Sequence, residues 1–314
     1  MTEMLEDIGV RLGGQFRGLI EARHPLAPLT TYRLGGSAAL FVEPTDDRDL
    51  VLLKAALEGI EVPFLLVGRG SNLLVSEEGF PGLVIHLGPG FNWTKAVEGG
   101  AAAGAATPLP IFARWCADQG LAGIEFGVGI PGSVGGAVRM NAGGHGREIK
   151  DVVRSICVVD LGGADSELAL SEIGLSYRRS ALPDSAIVTA ATFNLSGGDP
   201  EQLRQELAEI TRWRREHQPG GAANAGSIFK NPEGDSAGRL IDESGLKGLR
   251  VGGAEVSTKH ANFFLANEGA TAEDISSLIG KVRLEVYERS GVVLEPEIRL
   301  VGEFAEWPAI GGAE

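Results

Sequence analysis

The residues best suited to chemistry fall in three short segments that stand far apart in the chain. Gly226-Ser227-Ile228-Phe229-Lys230-Asn231-Pro232 places a hydroxyl, a cation and an amide within a few positions. A Ser beside Gly serves either as a turn residue or as a hydroxyl held at a reacting centre. Lys230 and Asn231 suit recognition of a polar substrate. Tyr177-Arg178-Arg179-Ser180 lies between two strand-like segments. An Arg there offers a fixed fork of donors for a carboxylate or phosphate, or belongs to a solvated surface pair. Near the C-terminus, alternation puts Glu295, Glu297 and Arg299 on one face and Leu294, Ile298 and Leu300 on the other. That charged face is either solvated or set toward a reaction. His260, beside an apolar strand, reads as structural. Five His and two Cys in unrelated places support no metal site.

Two glycine-rich loops add a second kind of chemistry. Gly68-Arg69-Gly70-Ser71-Asn72-Leu73-Leu74 follows the apolar run Pro63–Val67. It fits an anion nest of backbone N–H groups, or a hairpin turn to Leu73–Val75. Gly123–Gly146 contains a literal GxGxxG at Gly127, Gly129 and Gly132. A dinucleotide fold needs a helix opening at the last of these glycines. Pro131 and the further glycines 135, 136, 143, 144 and 146 speak against a helix, at ~1 kcal/mol per interior Gly. The stretch is expected to be extended backbone against a large flat ligand. Two such loops point to a nucleotide cofactor in a non-Rossmann cradle, the other reading being a structural loop without a ligand.

The elements that must position these groups alternate between strand and helix, so an α+β or α/β fold is expected. Helices are expected over 46–58, capped by Thr45 and stopped by Gly59, and over 109–119, stopped by Gly120. Others are expected over 201–216, 237–243 and 272–289. Strands are expected over 63–67, 83–87, 152–160, 187–195, 262–267 and 292–301. A domain boundary falls near residue 217, with a second domain running to about 290.

The 314 residues suggest about two domains. Gly is unusually frequent at 46 residues, about twice the ordinary share. With 28 Lys+Arg against 42 Asp+Glu the net charge is −14, which argues against nucleic acid or an anionic membrane as partner. No run is apolar enough to span a bilayer, and the acidic start MTEMLEDIG lacks the features of a signal peptide. Cys116 and Cys157 are expected to be buried thiols in a reducing cytoplasm.

Taken together, the segments resemble the UDP-N-acetylenolpyruvoylglucosamine reductase (MurB) family. The matching pieces stand in the family's order: TTYRLGG (30–36), GRGSNLLV (68–75), GIPGSVGGAVRMNAGGHG (129–146), YRRS (177–180), NAGSIFKNP (224–232), AGRLIDESGLKG (237–248), GGAEVSTKHANFFLAN (252–267) and GVVLEPEIRLVGE (291–303). The resemblance implies an α+β fold: a two-part FAD-binding region of the PCMH and vanillyl-alcohol-oxidase type, plus a smaller α+β substrate-binding domain. The implied pieces are 1–82 with 291–314, then 83–217, then 218–290 for the UDP-sugar. It implies a cytoplasmic monomer in peptidoglycan precursor synthesis. NADPH would reduce a non-covalent FAD, and UDP-N-acetylglucosamine-enolpyruvate would be reduced to UDP-N-acetylmuramate.

By the same resemblance Arg178, Ser227 and Glu297 are catalytic, Ser227 as proton donor. FAD would be held by Tyr32 and Arg33, by Gly68, Arg69, Gly70, Ser71, Asn72 and Leu73, and by Gly129, Pro131, Gly132, Ser133, Gly135, Gly136, Asn141, Ala142, Gly143 and Gly146. Arg215, His217, Lys230 and Asn231 would hold the substrate. Residues 181–216 contain no Tyr, so the tyrosine loop of one branch is absent and the chain resembles the shorter, second subtype. His217 stands where many relatives carry Lys. Since His titrates near ~6.5, this implies a pH-sensitive substrate affinity. The rival readings are a flavin oxidase on the same cradle and a non-catalytic nucleotide-sugar binder.

Overall fold

The structure, a computed structural model, describes residues 1–221 and 223–310. The chain divides into two compact units. One comprises Met1–Ala22, Ala39–Arg69 and Gly82–Arg214; the other comprises Arg23–Ala38, Gly70–Pro81 and the chain from Arg215 onward.

The first unit is built on two sheets sharing one apolar core. A four-stranded sheet runs in the order Leu19–Ala22, Ala38–Glu43, Phe80–His86, Phe64–Val67. Its last pair is parallel. A five-stranded antiparallel sheet runs in the order Ser166–Ala169, Val153–Asp160, Ala186–Asn194, Gly100–Gly104, Thr94–Val97. The strand Gly100–Gly104 is buried throughout and carries only Gly and Ala. Its neighbours demand this: a Cβ on Gly100 would lie 1.9 Å from the Phe193 carbonyl oxygen, and one on Gly104 2.1 Å from that of Phe91.

Helix Leu109–Asp118 buries Leu109, Phe112, Ala113, Cys116 and Ala117, one continuous stripe at helical spacing. Phe112 meets Phe193 of the sheet with ring centroids 5.0 Å apart. Gly120 follows in the left-handed region at φ +67°, as its position after the helix predicts. Helix Asp47–Leu57 is capped by Asp46 rather than Thr45: the Asp46 carboxylate accepts the N–H groups of Arg48 and Asp49 at 3.1 and 3.3 Å. A carboxylate there also meets the positive end of the helix dipole, which the Thr hydroxyl does not.

Two further expectations are corrected. The 123–146 stretch is not extended throughout. Glu125–Gly129 forms a 3-10 turn and Val134–Arg139 a short helix. Burying Val134 and Val138 contributes roughly 1.5–3 kcal/mol each, enough to offset two glycines. Gly135 is required there, since a Cβ would fall 2.8 Å from Ala105 Cβ. Cys157 is exposed on its strand, not buried; Cys116 is buried, and burial, aided by the Glu125 charge, pushes its thiol up to about 12.

The second unit has its own core. Three short antiparallel strands, Arg250–Val251, Ala254–Val256 and Phe264–Ala266, accompany helix Ala272–Ser290, which buries Ile275, Leu278, Ile279, Val282 and Val286. Thr271 caps that helix and Gly291 ends it at φ +71°. Leu73–Val75 pairs in parallel with Arg299–Val301. The Gly68–Leu74 loop is therefore not a hairpin turn, because the strands on its two sides belong to different sheets. The expected strand 292–301 is regular only over Arg299–Val301, although Leu294 and Ile298 are buried as alternation predicts. The preceding residues bond to the Ser227–Lys230 segment instead of a continuous ladder.

Candidate active site

In the first unit the two glycine-rich loops meet. Arg69 Nε donates to the Pro131 carbonyl at 3.1 Å, and a Cβ on Gly68 would lie 2.7 Å from Ser133 Oγ. Gly68, Pro131 and Gly136 are exposed, while Ser133 is buried and its hydroxyl accepts the Gly136 N–H. Gly129 is buried and Gly132 half-buried; the Gly132 carbonyl accepts the Leu109 N–H at 3.0 Å. The result is bare peptide backbone with small side chains, suited to an extended anionic ligand.

Gly143–Gly144 pairs with Arg147–Glu148 through a two-residue turn at His145 and Gly146, with φ +52° and +78°. The His145 ring stands edge-on to Trp213 at 5.1 Å. Burial, then the Arg214 charge, lowers its pKa. Next to half-buried Ala142, Asn141 is fully buried and its amide is spent inside the protein. Its Nδ2 donates to Glu148 Oε2 at 3.0 Å and to the Ser176 carbonyl at 2.9 Å, and its Oδ1 accepts the Lys150 N–H at 2.9 Å.

Arg178 lies in a tight turn. Ser176 and Arg179 exchange both backbone hydrogen bonds, at 2.9 and 3.1 Å, and Arg178 adopts φ +54°. A non-glycine residue held in that region is characteristic of a functional turn. The guanidinium lies 3.7 Å from Glu148 Oε1, donates to the Gly143 carbonyl at 3.4 Å, and stacks on Tyr177 with 4.8 Å to the ring centroid. Glu148 also pairs with Lys150 at 2.6 Å, and this hydrogen bond raises the Lys150 pKa.

In the second unit the segments carrying Ser227 and Glu297 lie side by side, with Phe229 paired to Pro296. The Glu297 N–H donates to the Ile228 carbonyl at 2.7 Å, and the Lys230 N–H to that of Glu295 at 2.9 Å. Asn72 joins them: its Nδ2 donates to the Glu297 carbonyl at 3.0 Å, and its own carbonyl accepts the Arg299 N–H at 3.0 Å. Gly70 is buried at φ +54°, and a Cβ there would meet the Leu29 carbonyl at 2.1 Å. Thr31 N–H donates to the Gly70 carbonyl, and the Thr31 hydroxyl is buried without a protein partner. Ser71 and Leu73 are half-buried. Arg33 is exposed at φ +57°, its N–H on Thr30 Oγ1 at 3.0 Å. Tyr32 turns inward: its hydroxyl donates to the Phe264 carbonyl at 3.0 Å, and burial pushes its pKa well above the ordinary phenol range.

Of the expected substrate residues, Lys230 Nζ pairs with Glu295 at 2.5 Å and Asn231 Oδ1 accepts the Ala237 N–H at 3.1 Å. Arg215 and His217 are exposed, and the Arg215 carbonyl accepts Lys259 Nζ at 2.5 Å. Sequence reasoning passed over Glu148 and Asn262. The signal for Asn262 was an amide between Ala261 and two Phe in an apolar run; for Glu148 it was the acidic residue directly after the AGGHGR turn. Among the described residues no group of three or more His, Cys, Asp or Glu is arranged to hold a metal ion.

The bare glycine-rich loops of the first unit fit a bulky, phosphate-bearing cofactor. The comparisons agree. Residues 38–165 match the family described as FAD binding domain, and residues 218–301 the family described as UDP-N-acetylenolpyruvoylglucosamine reductase, C-terminal domain. The fold and site thus define an FAD-dependent oxidoreductase of the α+β class. The chain is 41% identical over 301 residues to the UDP-N-acetylenolpyruvoylglucosamine reductase of Heliobacterium modesticaldum, covering 95% of this chain and 96% of that one. It is likewise 41% identical to that of Geobacter metallireducens, covering 96% and 100%. The crystal structure of MurB from Thermus caldophilus superposes with a TM-score of 0.79 at 38% identity, covering 91% of this chain and all of that one. The chain belongs to the UDP-N-acetylenolpyruvoylglucosamine reductase (MurB) family. Among the described residues no helix is long and apolar enough to cross a membrane.

Proposed function

We propose that the chain reduces the enolpyruvyl group of UDP-N-acetylglucosamine-enolpyruvate to the lactyl ether of UDP-N-acetylmuramate, acting as a cytoplasmic monomer in peptidoglycan precursor synthesis. When bound, FAD supplies the hydride, received from NADPH and delivered to C3 of the enolpyruvyl group. Residues 1–82 with 291–314 and residues 83–217 form the two parts of its cradle, of the vanillyl-alcohol-oxidase type, and 218–290 form the UDP-sugar domain.

The protein's part is to manage charge and a proton. Hydride arriving at C3 drives an electron pair through C2 onto the substrate carboxylate. Preorganised donors aimed at developing charge usually supply the largest catalytic contribution. Arg178 supplies a fixed cation, its fork held by Glu148, the Gly143 carbonyl and Tyr177. Glu297, carrying a proton, donates to the same carboxylate. Ser227 Oγ then delivers the proton to C2, which completes addition of H₂ across the double bond. A hydroxyl is a weak acid, so it must stand within hydrogen-bond reach of C2. Lys230, Asn231, Arg215 and His217 hold the UDP moiety.

The observation that supports this reading is the 2.7 Å bond from the Glu297 N–H to the Ile228 carbonyl, which joins the backbone of the segment carrying the proposed acid to that carrying the proposed proton donor. The test is anaerobic NADPH oxidation by FAD-loaded protein, with and without the enolpyruvyl sugar, in wild type and Ser227→Ala. Wild type turns over only with the sugar. Ser227→Ala still accepts electrons from NADPH and then stalls. Flavin reduction without sugar-dependent turnover in wild type would favour the oxidase reading and return Ser227 to a loop residue.

A further inference from the structure

We infer that Asn262 is a positioning residue for Ser227, aiming its hydroxyl by gripping the peptide two residues downstream. This rests on the reading of Ser227 as proton donor. Asn262 is 3% exposed and its amide closes on both sides of one residue. The Phe229 N–H donates to Asn262 Oδ1 at 2.9 Å, and Asn262 Nδ2 donates to the Phe229 carbonyl at 2.8 Å. The Ile228 N–H donates to the Asn262 carbonyl at 2.9 Å, and Ser227 bridges to Phe263. On the opposite edge Ile228 and Lys230 bond to the Glu295–Glu297 segment.

Ser227 therefore leaves a strip pinned on one edge by Asn262 and on the other by the segment that carries Glu297. Gly226 before it adopts φ +76° and its N–H donates to Asn224 Oδ1 at 3.0 Å, while a Cβ on it would meet nothing within 4 Å. On the downstream side the direction of the hydroxyl is set by residues 228 and 229. The Asn262 N–H is in turn accepted by His260 Nδ1 at 3.3 Å, which holds the clamp's own backbone. An amide suits this task because it pairs with a peptide N–H and C=O together, with no charge to bury. A displacement of about an ångström at a reacting group costs up to about 100-fold in rate.

The experiment separates the two half-reactions by anaerobic stopped flow, using FAD-loaded full-length protein, NADPH and the enolpyruvyl sugar. Asn262→Ala is expected to leave flavin reduction by NADPH unchanged and to slow sugar-dependent reoxidation roughly 10- to 100-fold. The solvent deuterium isotope effect on reoxidation should rise, because the misaligned proton step becomes limiting. Asn262→Asp, a second variant that keeps the shape, loses the donor to the Phe229 carbonyl when ionised. Its reoxidation rate should recover as pH falls and the carboxyl regains an O–H, a pH response absent from wild type. Wild-type reoxidation in both variants would overturn the inference. So would a parallel loss in both half-reactions with no change in isotope effect, since that describes a merely structural residue. Ser227→Ala run alongside distinguishes the failures. If it reoxidises normally, the proton-donor reading itself is wrong; if it stalls while the Asn262 variants do not, only the positioning claim falls.

Discussion

Replacing Asn141 by Ala tests whether the Arg178 turn is held from within the protein. The substitution removes the bonds to Glu148 Oε2, the Ser176 carbonyl and the Lys150 N–H. At ~1 kcal/mol for each neutral bond and ~1.5–3 for the one to a carboxylate, the loss is about 3.5–5 kcal/mol if the vacated space stays dry. Ala also tolerates φ +41° less well than Asn, by ~1 kcal/mol. Water entering behind the shorter side chain restores part of this, so a fall of roughly 5–10 °C in the melting temperature is expected. Freed of its anchor at Ser176, the turn carrying Arg178 gains freedom. Sugar-dependent flavin reoxidation should then slow by one to two powers of ten. The assays are thermal unfolding with FAD present and anaerobic stopped flow. Lys150→Ala is the control: its side chain is half-exposed and its pair with Glu148 is worth ~0–1 kcal/mol, so both readouts should barely move. Asn141→Ala protein with wild-type melting and wild-type reoxidation would refute the argument. A large melting shift with an unchanged rate would refute the link from Asn141 to Arg178 while leaving the bonding analysis intact.

Two other outcomes follow from single observations. Gly70→Ala forces a Cβ against the Leu29 carbonyl at φ +54°, so purified protein should retain far less flavin than wild type. Gly269→Ala, at φ +78° with nothing within 4 Å, should cost only ~1 kcal/mol of backbone strain and keep its flavin; equal flavin content in both would contradict the reasoning. Burial, aided by the Lys247 charge, lowers the His260 pKa below its unfolded value. The unfolded chain then binds the proton more readily than the folded one. His260 should therefore contribute stability that is present above about pH 6.5 and lost as pH falls below it. Melting measured against pH should drop more steeply toward acid in wild type than in His260→Gln, and parallel curves would count against it.

What the sequence made legible follows from how each element is determined. Helix Leu109–Asp118 and the strands Val153–Asp160 and Ala186–Asn194 lie within a residue or two of expectation, because burial period and a terminal glycine specify them locally. The helix Val134–Arg139 was not legible, since its glycines argue against a helix unless the strand residue Ala105 is known to press on Gly135. The expected strand 292–301 fails before Arg299 for a similar reason. Pro296 has no N–H to give a ladder, and the Glu297 N–H goes to Ile228 rather than to a neighbouring strand. At the site, sequence pointed to the loops by their glycines. It could not show that the Tyr32 phenol turns into the core rather than outward, nor that two buried amides brace the segments carrying Arg178 and Ser227.

Those two amides share a physical logic. At Phe229 the amide pairs both the N–H and the C=O of one buried residue; at Ser176, whose N–H and carbonyl already pair with Arg179, it adds a second donor to the carbonyl. Leaving the buried Phe229 peptide unpaired would cost about 1–3 kcal/mol, so its partner must be short and rigid. Arg, Lys, Asp or Glu would provide only donors or only acceptors and would carry a charge into sites 0% and 3% exposed, at a cost of several kcal/mol. Such a charge would also add a permanent field beside groups that must respond to charge arriving on the substrate. Asn supplies donor and acceptor together and remains neutral. On this argument Asp is the more damaging replacement than Ser at either position near neutral pH, although it is the closer match in shape. Comparing the two at Asn141 and Asn262 by reoxidation rate puts that ordering to the test, and a faster Asp variant at neutral pH would show that shape, not charge, is what these positions require.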